Sequence, residues 1–365
     1  MVKRLMIIVT LLAGSLFLLP VSSAQAIRGT PGSSEFGFGA SLDLSGKYVN
    51  DGIQLANDLQ LDWVKIEIPW AQVQPDKGGK IDWGTCPAVI QSLAHYKLNI
   101  LVSLTQPPSW ALTSQGPDVA FASQFVRQFL QDFGPSISAI EIFPRANTRQ
   151  AWGAAPDPAA YMKLWKAIQK SLSKDQQKIL LVAGGLVPGT DNPTAGIADD
   201  LAFLKGLYAA GARDAMQVIS IQQLSPVDTP QATPNPSQPA NLRHYESVRQ
   251  VMLDNGHDKG MIWITGLGVP AGLSSSGNAS NSQDQQQADW LAQAFNQIRA
   301  QLYIGVAFLD SINPTADSST LSIITLSGDL HPAFRVLRDQ IAQNAAGASY
   351  PRPGRPKGEI LPKGY

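Results

Sequence analysis

The sequence predicts an α/β chain folded as a single-domain (β/α)8 barrel, and three observations carry that reading. Eight short apolar runs of β type alternate with amphipathic helical stretches. The runs are nearly continuous in Val, Ile and Leu, as strands covered on both faces must be. No G-x-G-x-x-G turn opens a helix after the first run, which argues against a doubly wound open sheet; the glycines of "FGFGASLD" lie within the strand itself. At 365 residues the chain has room for the usual barrel of about 250 residues plus insertions.

Strands are expected at Phe36–Leu42, Trp63–Ile68, Asn99–Leu104, Ala139–Phe143, Ile179–Ala183, Val218–Gln222, Met261–Thr265 and Gly305–Leu309. Helical patterns fill the intervals, among them Val119–Phe133, Ala159–Leu172 and Gln283–Leu302. In the last of these Ala288, Leu291, Ala294, Phe295 and Ile298 mark one face at helical spacing. A final helix is expected over Pro332–Ile341. Pro226–Pro239, "PVDTPQATPNPSQP", is a loop after the sixth strand, on the face where barrels of this kind build their sites. The barrel domain spans 27–344, and the tail 345–365 is too rich in Pro and Gly to fold alone and reads as disordered.

The first 26 residues read differently. Lys3 and Arg4 precede an apolar run from Leu5 to Leu19, then Pro20 and Ala24-Gln25-Ala26. A positive flank, a short apolar segment and a small-x-small ending describe a secretory signal peptide cut after Ala26. The competing reading, an uncleaved anchor, is disfavoured because a span needs about 20 apolar residues. A secreted protein, extracellular or at the cell envelope, is therefore expected. Composition agrees: charged residues are 15% against a usual value of about 25%. Hydrophobic residues make up 44% and the formal net charge is +0, which argues for a sizeable core and against nucleic acid as a partner. Cys86 is the single cysteine, so no internal disulfide forms, and its apolar helical setting reads as a small buried hydrophobe. The four histidines are scattered without metal-ligand spacing, so no metal or other cofactor is expected. The chain is expected to be a monomer.

Several stretches, in order, resemble the retaining glycosidases of glycoside hydrolase clan A, the cellulase and β-xylosidase-like group. "LDWVKIEIPWAQVQPDKGGKIDW" is similar to their second strand and loop, of the form W-V-R-x-x-x-x-W-x-x-x-x-P-x-x-G-x-x-D-W. "NILVSLTQPPSWA" resembles the third strand with its Pro-x-Trp-Ala loop, "AIEIFPRAN" stands in the place of E-I-W-N-E-P-N, "MIWITGLG" in that of W-I-T-E-x-G, and "HPAFRVL" resembles the last helix. The likeness runs over residues 36–343. It implies two carboxyl groups about 5–5.5 Å apart, one donating a proton to the leaving oxygen and one attacking the anomeric carbon.

The positions that the resemblance assigns to those carboxyl groups hold Arg145 and Gly266. Pro144 stands where Asn precedes the proton donor, the sixth strand ends Gln222-Gln223-Leu224 instead of His-Pro-Tyr, and Lys65 replaces an Arg. A guanidinium does not release a proton near neutrality, and glycine has no side chain to use. Glu141 offers no substitute. Side chains alternate along a strand, so Glu141, Phe143 and Arg145 share a face, with Glu141 about 13 Å deeper than Arg145. It is expected as a buried carboxylate paired with a group such as Lys65. Lys65 and Glu67 also share a face, where an internal ion pair would satisfy both.

The expectation is a secreted, catalytically inactive pseudoglycosidase that binds polysaccharide or oligosaccharide. Arg145 and Arg149 share the strand-four loop, which extends the expectation to acidic glycans. A bland alternative folds Arg145 back onto Asp157. No residue is given a catalytic role. The ligand-binding candidates are Trp70, Trp110, Phe143, Arg145, Trp152 and Gln222; the rings would stack on sugar faces, although core packing competes for each. Trp152 is the most freely placed of them. Two other readings stay open: an active retaining-type hydrolase with carboxylates displaced to Asp43, Glu67 or Asp310, and a structural or protein-interaction scaffold.

Overall fold

The computed structural model describes residues 27–224, 228–235, 239–270, 281–315 and 321–344; the expected signal peptide, the expected tail and parts of the 226–239 loop lie outside them. Eight parallel strands close into a barrel: β1 (Gly37–Ser41), β2 (Trp63–Pro69), β3 (Asn99–Thr105), β4 (Ala139–Ile142), β5 (Leu180–Leu186), β6 (Val218–Leu224), β7 (Met261–Gly268) and β8 (Ile304–Leu309). Each pairs with the next, and β8 returns to β1 with Gly37 opposite Val306. The expected (β/α)8 architecture is therefore present, every strand within a few residues of its anticipated span.

Among the described residues eight helices of ten residues or more separate or follow the strands: α1 (Val49–Asp58), α2 (Cys86–His95), α3 (Val119–Phe133), α4 (Pro158–Ser171), α5 (Asp200–Ala209), α6 (His244–Asp254), α7 (Asn281–Arg299) and α8 (Ala333–Asn344). Three start at aspartates whose carboxylates accept from the first free backbone N–H groups: Asp118 for α3, Asp157 for α4 and Asp199 for α5. Ala288, Leu291, Ala294, Phe295 and Ile298 of α7 are all buried against the barrel, as their spacing predicts. Cys86 is free and buried at the start of α2, and burial pushes its thiol pKa up to about 12, the state of an inert packing residue. Among the described residues no helix is long and apolar enough to cross a membrane.

The lower barrel interior is aromatic. Trp63 of β2 and Trp263 of β7 meet with ring centroids 4.9 Å apart, and Phe308 of β8 packs against both. Their bulk explains the glycines of β1: a Cβ at Gly39 would sit 2.5 Å from the Phe308 ring. The segment before β1 closes this end, because the Trp63 indole N–H donates to Arg28 O at 2.9 Å and that of Trp263 to Gly29 O at 2.8 Å. Burying both indoles with their polar hydrogens satisfied makes this end a closed floor. The opposite, C-terminal end is where the chemistry gathers.

Candidate functional site

Toward the C-terminal ends of the strands the inward positions change from rings to charges. On β2 the face that carries Trp63 next presents Lys65 and then Glu67. The buried Lys65 Nζ donates to Thr265 O at 2.8 Å and lies 3.3 Å from Glu67 Oε1. Arg145 enters from the β4 exit and places Nη2 3.7 Å from the other Glu67 oxygen. Glu67 thus sits between two cations. Burial alone would push its carboxyl pKa up; Lys65 and Arg145 outweigh that and hold it below the usual glutamate value. For Lys65, burial pulls the pKa down, and the carboxylates of Glu67, Asp310 and Glu141 more than reverse it. Asp310, just after β8, moves the other way. Burial raises its carboxyl pKa and the charges of Glu67 and Asp43 add to the rise, against the pull of Lys65 and Arg145.

Glu141 is fully buried on β4 and accepts from Ser103 Oγ at 2.5 Å and Thr265 Oγ1 at 2.7 Å. Its depth is as expected. Its direct partners are two hydroxyls, however, and Lys65 acts on it only through space, because the ammonium is held by Glu67 and the Thr265 carbonyl. The Ser41 and Thr105 hydroxyls, at the tops of β1 and β3, are buried and have no hydrogen-bond partner among the described residues. The anticipated Lys65–Glu67 pair is present. The Arg145–Asp157 contact is not, since Asp157 caps α4 and Arg145 turns to Glu67 instead.

The exit of β4 is held by its neighbours. The Tyr161 hydroxyl of α4 donates to Ile142 O and accepts from Gly184 N. Asn147 donates to Val187 O and Ala198 O and accepts from Val187 N, tying this loop to the one after β5. Between these anchors Phe143 and Arg145 both adopt left-handed backbone, at φ 42° and 63°. Such conformations are costly for residues with a Cβ and persist where the surroundings enforce them. They also end the strand alternation one residue earlier than expected, so Phe143 leaves the face that holds Glu141.

Three of the six ligand-binding candidates therefore need correction. Phe143 is 2% exposed and packs near Trp70, which is itself 1% exposed and stacked on Phe125 of α3 with centroids 4.6 Å apart. Trp152, expected to be the freest, is 1% exposed; its indole donates to Gln115 O at 3.0 Å and its ring fills the space that Gly116 leaves by lacking a Cβ. None of these rings can stack on a ligand without first leaving the core. Trp110 is half-buried, edge-on to Trp70, and faces a groove beside the barrel rather than its mouth. Gln222 is buried on β6 opposite Gly266 of β7. A Cβ at Gly266 would rest 3.4–3.7 Å from the Leu224 and Gln222 side chains, so the backbone there tolerates a side chain. Of the six, Arg145 is the one that meets the charged group around Glu67. The buried hydroxyls and the groove were missed in the sequence, although the inward positions 41, 65, 103, 105 and 265 follow once the strands are placed in register.

No protein-family model and no curated protein matches the chain. Solved structures do. A family 39 glycoside hydrolase from the gut symbiont Bacteroides cellulosilyticus WH2 superposes with a TM-score of 0.63 at 15% identity, over 84% of this chain and 64% of that one. A family 5 glycoside hydrolase from Bifidobacterium longum subsp. longum, solved in complex with Manβ1-4GlcNAc, gives 0.61 at 12% identity over 86% and 79%. An endo-β-1,4-xylanase of family 10 from Gloeophyllum trabeum gives 0.57 at 14% identity over 86% and 98%. The fold is similar to that of these glycoside hydrolases. At these identities the likeness establishes the barrel alone, and this chain spans just under two thirds of the family 39 enzyme.

Proposed function

We propose that this chain is an exported carbohydrate-binding protein, built on a glycosidase barrel and without hydrolytic activity. The observation that carries this reading is the pairing of Glu67 with both Lys65 and Arg145. Hydrolysis with retention needs one carboxyl able to donate a proton and another about 5–5.5 Å away, free to attack. A carboxylate held between two cations is kept ionised and donates nothing. Arg145 stands at the β4 exit, where the resemblance expects the donor, and Gly266 brings no group from β7. Glu141 is committed to Ser103 and Thr265 deep in the barrel. An acidic sugar would have to compete with Glu67 for Arg145, so acidic ligands are a test of the reading and not its premise.

One observation favours a second reading, an active hydrolase with displaced carboxylates. The Glu67 carboxyl is shifted down and that of Asp310 up. Environments that push two acids apart are how a site divides a base from an acid. The experiment that separates the readings assays the mature chain on aryl β-glycosides and β-linked oligosaccharides, with calorimetry on matched neutral and acidic oligosaccharides. Binding without turnover is expected. Turnover that disappears in both Glu67→Gln and Asp310→Asn would overturn the first reading in favour of the second, and failure to bind any saccharide would leave a scaffold.

A further inference from the structure

The side-chain shell outside the mouth contains a second concave region. The segment that follows β2, residues 74–83, lies across α3 and leaves a groove of ≈690 Å³. That volume is within the range of about 300–1,000 Å³ usual for small-ligand sites. Its floor follows one face of α3, from Phe121 through Gln124 and Gln128 to Asp132. Eleven rises of about 1.5 Å between Phe121 and Asp132 give a run of about 16 Å. The walls are Trp110 at one end and Trp83 at the other, both half-buried.

These rings are fixed. The Trp83 indole donates to Asp132 Oδ2 at 2.9 Å, and the ring packs against Phe125, Phe129 and Phe133. The Trp110 indole donates to Gln74 O at 3.3 Å while its edge meets Trp70. Gln74 in turn accepts from the Trp70 indole and donates to Gly79 O, which braces the overlying segment. The polar side chains lining the groove are three amides, Gln74, Gln124 and Gln128, and three charged groups, Lys77, Lys80 and Asp132, the last accepting from the Trp83 indole and the Gln128 amide. Gln124 is exposed, and Gln128, bonded to Asp132 through its Nε2, keeps its carbonyl oxygen for another partner. Lys77 lies 4.8 Å over the Phe121 ring and adds an N–H donor at that corner.

From this arrangement we infer that the groove along α3 is a second saccharide-binding site, taking an oligosaccharide in extended form. Fixed indole rings meet the C–H faces of sugar rings, and amides serve hydroxyls that both donate and accept. Preorganised rings lower the ordering cost of binding. An extended peptide is the poorer match. A peptide bound as an added strand needs an unpaired strand edge, and here the barrel is closed and the segment over α3 is not a strand. The inference extends the carbohydrate reading above and rests on it for the class of ligand. It also places Trp110, a candidate from the sequence, at a site of its own.

The test uses the mature chain and soluble cellohexaose, xylohexaose and chitohexaose, with calorimetry and tryptophan fluorescence as separate readouts. Gln124→Ala/Gln128→Ala changes polar groups on the outer face of α3 and is expected to fold normally. Trp110→Ala is the stronger but riskier change. Either groove variant should lose at least tenfold in affinity for a hexasaccharide that the wild type binds, with loss of the ligand-induced fluorescence change. Loss in Arg145→Ala with the glutamine variant unaffected would overturn the groove and leave the mouth as the sugar site. A wild type that binds none of the three would overturn this inference, and the function on which it rests falls with it only if the acidic oligosaccharides do not bind either.

Discussion

At the N-terminal end of the barrel Trp63, Trp263 and Phe308 meet ring to ring, whereas at the C-terminal end Lys65, Glu67 and Arg145 meet charge to charge. The same strands build both ends. On β2 the inward face runs from Trp63 to Lys65 to Glu67; on β7 it runs from Trp263 to Thr265; on β8 Phe308 is followed two residues later by Asp310. The floor gains its stability from apolar area removed from water, a non-directional effect with little dependence on pH. The mouth is stable only as a matched set, because a charge taken out of water is tolerated when its partner stays.

The comparison would break most visibly at the floor. Trp263→Ala removes a fully buried ring, its contacts with Trp63 and Phe308, and the bond to Gly29 O that holds the closing segment. A loss of about 3–5 kcal/mol is expected, near the upper end of that range. Urea unfolding monitored by circular dichroism measures it. A loss below about 1 kcal/mol would mean that this end is loosely packed and that the contrast with the mouth is false.

At the mouth the expected effect is somewhat smaller and has a different signature. Lys65→Met keeps much of the side-chain volume but leaves Glu67 with Arg145 alone and Glu141 with hydroxyls only. Removing one partner of a buried pair typically costs about 3 kcal/mol or more, and the half-exposed Glu67 places this case at the lower end. Lys65→Met/Glu67→Gln should recover part of that loss, since the orphaned charge goes too. A double-mutant cycle from thermal unfolding tests the coupling; strictly additive effects would show that the two charges do not depend on each other.

The two ends also differ in how far they could be read in advance. Strands buried on both faces are uninterrupted apolar runs, which is why all eight were legible, and period-2 alternation placed Lys65 beside Glu67 and Glu141 well below the mouth. Alternation is a property of extended backbone, and it stopped serving at Phe143. The left-handed turn there is enforced by Tyr161 and by Arg145 N donating to Gly185 O, contacts made across loops far apart in sequence. Trp152 misled for a similar reason: its place is set by the cavity beside Gly116, which no local pattern announces. That Arg145 chooses Glu67 over Asp157 follows from the cap at α4. The groove along α3 exists only because residues 74–83 fold over a helix that begins at Val119.

The finest test of the contrast is acid titration, to which the floor is indifferent. Glu67 and Asp310 should act on stability in opposite directions. The folded-state pKa of Glu67 is lowered, so its contribution is present above the ordinary glutamate value and is lost as pH falls through the folded value. The folded-state pKa of Asp310 is raised, so it destabilises the fold once ionised, and that penalty is relieved as pH falls through its folded value. The two partly cancel between neutrality and strong acid. Asp310→Asn should therefore be more stable than the wild type at neutral pH and lose stability more steeply toward acid, because the compensating relief is gone. Glu67→Gln should show the shallower acid limb, although removing Glu67 also removes one of the charges that raise Asp310. Glu67 retains 37% side-chain exposure, so solvent screens the effect and the differences will be small beside those of Trp263→Ala and Lys65→Met. Unfolding midpoints measured across the acid range for the three proteins decide the matter. Parallel curves would mean that the charges at the mouth are not coupled to folding, and with that the claim that Glu67 is held by its two cations would fail.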